Sequence, residues 1–162
     1  MLTHIDENNN PTMVDISEKG VTTRTAIASC KVILPQNVLA AVKDGDITTK
    51  KGPVLHTAII AGTMAVKKTH ELIPFCHPIA LESIKFDVTF DENDHLNIRC
   101  LVKNTGKTGV EMEALQGVSS AALTVYDMCK AMSHDIKIEA IQLEHKAGGK
   151  RDFNRDLEGK GQ

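Results

Sequence analysis

The stretch from Glu113 to Lys130 has a spacing that could do acid–base chemistry. If it is helical, Glu113, Gln116, Ser120, Thr124 and Asp127 fall within about 80° of arc. Leu115, Val118, Ala122, Val125 and Cys129 then lie on the other side, free to pack on a core. Lys130 follows Asp127 by one turn, so a carboxylate and an ammonium share a patch. An ordinary solvated face with one ion pair has the same geometry. The difference is that no charge lies between Glu113 and Asp127, where a merely solvated face would carry Lys and Glu.

Other reactive groups lie in turns. His77 sits between Cys76 and Pro78, with Pro74 just before, and two prolines make a stiff loop. A histidine fixed there suits hydrogen bonding to a substrate or proton transfer, or else a structural bond. A zinc site could draw on His70, Cys76 and His77, but adjacent residues seldom ligate one ion and no fourth ligand is evident. Gly106-Lys107-Thr108-Gly109 precedes a helix N-terminus, a place where anions bind. It is no P-loop, because Leu101 stands where the first glycine should be, and Glu111 and Glu113 would repel phosphate. Lys50 and Lys51 before Gly52, and Lys146, Lys150 and Arg151 around Gly148-Gly149, read as solvated charge. The alternative is that they converge with Arg24 and Lys130 on an anionic ligand.

The elements that must position these groups follow from periodicity. Val21 to Leu34 alternates in β-branched residues and predicts a strand. Pro35 opens a short helix over Gln36 to Lys43, stopped by Asp44-Gly45, and a second helix spans about Pro53 to His70 with Leu55, Ala58, Ile59, Gly62 and Val66 as its apolar stripe. A hairpin follows, Leu81 to Phe90 and His95 to Val102, turning at Asp91 to Asp94. Asn104 to Gly109 reads as a loop, Val110 to Ser133 as the long helix, and Ile136 to Leu143 as the last strand. Taking the tandem helices as one split crossover gives β-α-β-β-α-β, an α+β ferredoxin-like fold with an antiparallel four-stranded sheet and helices on one face. Residues 1 to 12 and 146 to 162 read as loose ends of a single domain spanning 1 to 162.

Composition bounds what such a domain can do. Of 162 residues, 41% are apolar and 25% charged, with a net charge of -2. That excludes a disordered chain and a strongly basic nucleic-acid binder. Aromatics are only 3%, too few for a platform on which bases stack. No apolar run approaches a membrane span and the N-terminus lacks a signal-peptide pattern, so a cytoplasmic protein is expected. The four cysteines form no C-x-x-C pair and read as reduced core thiols.

The segments LIPFCHP (72–78), KTGVEMEAL (107–115) and YDMCKA (126–131) resemble the cyclic pyranopterin monophosphate synthase family, the molybdenum cofactor biosynthesis protein C family. TMVDIS (12–17), KKG (50–52) and HKAGGK (145–150) match it in the same order, so the resemblance spans nearly the whole chain. Phe75 replaces the family's usual Leu, and the tail after Gly149 departs further, which leaves Lys150 and Arg151 without an assigned role.

The resemblance implies a homohexamer, a trimer of dimers, with sites at the dimer interface. It implies conversion of 3',8-cyclo-7,8-dihydroguanosine triphosphate to cyclic pyranopterin monophosphate with loss of pyrophosphate. No cofactor is then required, although Mg²⁺ can accompany the triphosphate. Carried over by position, Asp127, Lys130 and Lys51 are catalytic, with Asp127 the leading acid–base residue. Phe75, Cys76, His77, Met112 and Glu113 contact substrate, and Arg24 and Lys146 hold the triphosphate. The rival reading is a ferredoxin-like nucleotide-binding or regulatory module without turnover.

Overall fold

The computed structural model describes residues 4–158. Its central strand is β1 (Thr22–Ile33), in which Ala26, Ala28, Cys30 and Val32 turn to one face and are buried. β1 pairs antiparallel with β6 (Leu96–Gly106) on one side and with β7 (Lys137–Ala147) on the other. β5 (Ser83–Phe90) extends the sheet beyond β6, through a turn in which Asp91 accepts the Asn93 and His95 amide N–H groups. A two-residue strand, β8 (Phe153–Asn154), closes the other edge, and α5 (Arg155–Glu158) follows it. The order β5-β6-β1-β7-β8 keeps the four long strands in ferredoxin-like arrangement, so the α+β reading holds with one short strand added.

Helices α2 (Val54–Lys67) and α4 (Glu111–Cys129) cover one face of this sheet. α4 presents Ala114, Val118, Ala121, Ala122 and Val125 to the core, and the strands answer with Ala28, Cys30, Cys100 and Val102. Small side chains on both sides let the helix lie close to the sheet. α2 and α4 come together at Gly62 and Gly117. A side chain at Gly62 would meet the Gly117 carbonyl at 2.9 Å and the Phe86 ring at 2.5 Å.

Several expected boundaries move. The helix read over Gln36 to Lys43 is a single turn, α1 (Gln36–Leu39). Asp44 and Gly45, read as its stop, take φ of 50° and 80° and form the tight turn of a hairpin instead. That hairpin is β2 (Val42–Lys43) with β3 (Asp46–Thr49), and β4 (Gly52–Pro53) completes a small three-stranded sheet. The second helix ends at Lys67, with α3 (Thr69–Leu72) as a separate turn, and the long helix stops at Cys129. β6 runs on to Gly106 and β7 to Ala147, so Lys146, read as part of a loose end, is a strand residue opposite Ala26. Strict alternation in β7 also fails. Its register against β1 shifts twice and Ala140 has a φ of 51°, which leaves Ile141 exposed.

Helix α2 begins without a side-chain cap from Pro53. Asp46 of β3 supplies one from outside, accepting the Leu55 and His56 amide N–H groups at 2.7 and 3.2 Å. Among the described residues, no helix is long and apolar enough to cross a membrane.

The glycine contact sets up a competition. Alanine at position 62 gains roughly 1 kcal/mol of helix propensity. It must also displace a backbone carbonyl and a core ring, and overpacking of that kind costs about 1–3 kcal/mol. Gly62→Ala should therefore lower the urea midpoint without changing the fold. An unchanged or raised midpoint would mean that the helices can separate freely.

Candidate active site

A cavity of about 740 Å³ lies at the N-terminal end of α4. Five parts of the chain wall it: an irregular strap over residues 4–20, the start of β1, the loop after α3, residues 108–113 leading into α4, and the end of β7 with the glycines beyond it. The strap is fastened at three points. His77 donates from Nε2 to the Val14 carbonyl at 2.8 Å, Lys107 donates to the Ser17 carbonyl at 2.6 Å, and His4 stacks on Phe75 at 6.3 Å.

Seven of the ten site residues expected from sequence line this one cavity: Arg24, Phe75, Cys76, His77, Met112, Glu113 and Lys146. Arg24 is held by its Nε donating to the Gly106 carbonyl at 3.0 Å. Lys146 pairs with Glu111 at 3.1 Å, which neutralises a carboxylate that would otherwise repel an anion. Lys19 and Lys150 add further cations to the wall, and Thr108 and Gly109 line it as neutral residues. Phe75 and Met112 are partly exposed apolar surface on that wall.

Glu113 departs from the helical-wheel expectation. The wheel sets it on the polar side opposite the core-packing residues, yet it is 4% exposed. Burial pushes its carboxyl up from 4.5 to about 7, and the neighbouring Glu111 carboxylate adds to the rise against its own backbone N–H. A carboxyl poised there both takes and gives a proton near neutral pH. Burial, and secondarily Glu113, also raises the Cys76 thiol, which disfavours the thiolate there.

The other three expected residues gather elsewhere. Asp127 binds Lys51 through Oδ2 at 2.8 Å and Lys130 through Oδ1 at 2.8 Å, and Lys51 also donates to the Asp127 backbone carbonyl at 3.3 Å. All three side chains are about half exposed. Hydrogen bonds from Lys130 and Lys51 hold the Asp127 carboxyl down to about 2, and Asp127 in turn raises Lys130. This cluster sits at the C-terminal end of α4, fourteen residues from Glu113 and so about 21 Å along the helix. Within one chain the two groups do not meet.

Sequence reading took TMVDIS (12–17) only as part of the family resemblance and named no site residue on the strap. Val14, Asp15, Ile16 and Lys19 wall the cavity although no periodicity marks them. A zinc set built on His70, Cys76 and His77 does not assemble, since among the described residues no three His, Cys, Asp or Glu side chains gather to hold a metal ion.

A model of the MoaC family matches residues 13–149. The chain belongs to the MoaC family. Among MoaC relatives, the cyclic pyranopterin monophosphate synthase of Xanthomonas axonopodis pv. citri is 52% identical over 152 residues, covering 94% of this chain and 92% of that protein. The synthase of Brevibacillus brevis is 51% identical over 155 residues, 95% and 96% of the two chains. A molybdenum cofactor biosynthesis bifunctional protein of Synechocystis is 52% identical over 159 residues, 96% of this chain but 46% of that protein. The matched range begins inside the strap and ends at Gly149, so it takes in the cavity lining except His4 and Lys150, together with the Asp127 cluster.

The Glu113 carboxyl makes stability depend on pH in a stated direction. Folding raises its proton affinity, so its contribution is complete below about pH 4.5 and is lost as the pH rises to about 7. Denaturant titrations across that window should show the wild type losing stability relative to Glu113→Gln. Parallel curves would mean that the carboxyl is not desolvated.

Proposed function

We propose that the chain is a cyclic pyranopterin monophosphate synthase of molybdenum cofactor biosynthesis. It takes 3',8-cyclo-7,8-dihydroguanosine triphosphate, opens and recloses the purine-derived ring, and closes a cyclic phosphate with release of pyrophosphate. The observation that carries this reading is the cavity itself: a buried carboxyl near neutral beneath a rim of Arg24, Lys146, Lys150 and Lys19. Ring opening and closure need repeated proton transfers, which a group titrating near 7 performs in both directions. The rim cations suit the triphosphate, whose charge grows on the departing pyrophosphate as a sugar hydroxyl attacks the α-phosphorus. The names of the Xanthomonas and Brevibacillus relatives support the same reaction.

The roles within the site divide differently from the first expectation. Asp127 is held near 2, too acidic to exchange protons efficiently at neutral pH, so the acid–base role falls to Glu113 with His77 beside it on the wall. Asp127 serves by holding two ammonium groups, Lys51 and Lys130, in one place. The lysines then meet the charge that develops in the transition state. No resident cofactor takes part, and Mg²⁺ enters only as the counter-ion of the triphosphate.

A second copy completes the site. The outer surface of the helical layer carries no charge from Ala114 to Tyr126 on α4 or from Thr57 to Val66 on α2, and it exposes Ile60, Met64 and Leu123. A copy packed antiparallel across the middle of α4, near Ser120, would bury this face. It would also set Glu113 of one chain opposite Asp127 of the other, because a two-fold contact exchanges positions equidistant from its axis. The homohexamer, a trimer of dimers, builds on that pair. Three core thiols kept protonated by burial, Cys30 and Cys100 at about 12 and Cys129 at about 11, agree with a cytoplasmic setting.

Purified protein given the cyclic nucleotide should release pyrophosphate; saturable binding without release would mean a binding module instead. Asp127→Asn should fold and assemble normally while turnover falls by about 10². Mixed after subunit exchange, Glu113→Gln and Asp127→Asn chains should recover about a quarter of wild-type activity, since half the dimers hold one intact site. Lys51→Ala and Lys130→Ala should not rescue each other, because both flank one carboxylate. No recovery in either mixture, with subunit exchange demonstrated, would place the site within one chain.

A further inference from the structure

Asp46 is a buried carboxylate outside both halves of the site, 9% exposed and bonded on every side. Its Oδ1 accepts the Ile47 and Leu55 amide N–H groups at 2.6 and 2.7 Å. Its Oδ2 accepts the His56 amide at 3.2 Å and lies 2.6 Å from His56 Nδ1, which donates to it. Capping α2 alone would need one oxygen. Asp46 instead ties the start of β3 to the first turn of α2.

Between those two points the chain runs out along β3 and back along β4, with Thr48 opposite Pro53 and Thr49 opposite Gly52. The reversal is tight: Thr49 Oγ1 accepts the Lys51 amide at 3.1 Å, and Gly52 takes a φ of 108° that a side chain would strain. Lys51 stands at this tip and reaches across to Asp127 on α4. A half-exposed ion pair is too weak to hold a hairpin in place. The buried bonds at the hairpin's base are not exposed to that competition with water.

We infer that Asp46 is a positioning residue for Lys51, clamping both ends of the β3–β4 hairpin so that its tip presents the ammonium to Asp127. The inference rests on the reading of Lys51 as part of the reacting cluster, and it acts through that lysine alone. Asp46 touches neither the cavity nor the cluster, so its loss should change turnover and not substrate capture.

Two measurements test this. The first follows the Asp127 carboxyl by NMR titration in the wild type and in Asp46→Asn. With Lys51 displaced, its midpoint should rise from about 2 toward the ordinary value of 3.8. The second compares turnover of Asp46→Asn with Lys51 present and with Lys51→Ala. A misplaced tip should cost about tenfold in kcat with KM little changed in the first case, and nothing further in the second. An unmoved Asp127 titration, or the same fold loss in both backgrounds, would overturn the inference and leave Asp46 a merely structural cap. If the wild type has no turnover, or Lys51→Ala turns over normally, the proposed reaction or the role of Lys51 fails instead, and the Asp127 titration alone decides the positioning. Should Asp46→Asn not fold, His56→Ala removes an exposed ring's share of the clamp and should move both readouts in the same direction. No movement there would equally overturn it.

Discussion

The contact of α2 with α4 at Gly62 and Gly117 sets the helix that carries Glu113 and Asp127 against the helix that follows Lys51. α2 starts at the hairpin that carries Lys51, and α4 ends at the Asp127 that receives it. The other end of α4 drives Glu113 into the cavity floor. Because α4 lies flat on Ala28, Cys30, Cys100 and Val102, it has no freedom to tilt. The sheet thus serves as a bench, and the helix pair holds both halves of the chemistry at a set separation.

The same helix tunes two carboxyls in opposite directions. Glu113 is buried at the cavity it shares with the strap and the loop of Cys76 and His77, loses its water, and rises to about 7. Asp127 keeps its water, gains two ammonium partners and falls to about 2. Neither environment is local to the helix. The strap, Lys51 and the loop all come from elsewhere in the chain, and this sets a carboxyl that can exchange protons near neutral pH apart from one that stays charged.

What could be read from sequence tracks how local each determinant is. Alternation in β1, the Asp91 turn and the apolar stripe of α4 are short-range patterns, and they give the sheet and its helical cover. Asp44-Gly45 was an equally local signal, but it serves a helix stop and a hairpin turn alike, and the neighbouring Pro35 favoured the wrong one. The burial of Glu113 was not legible because a helical wheel knows which residues share a side and not what surrounds that side. The strap has no period to detect. Lys51 and Asp127 lie 76 residues apart, so their pairing has no local trace, and only the resemblance to a family linked them. The bulges in β7 likewise depend on how two strands settle against each other.

The regularity of α4 bears on how this chain can change in length. Deleting one residue between Glu113 and Asp127 would draw the ends together by about 1.5 Å and turn one against the other by about 100°. Asp127 would then face the core or the far side of the helix, and no side-chain adjustment by Lys51 could follow it. The turn from Asp91 to Asp94 carries no such count, and an insertion there merely lengthens a surface loop. Drift in length is therefore open to the hairpin tip, whereas the interval inside α4 is fixed to the residue, as closely as any side chain in the cavity.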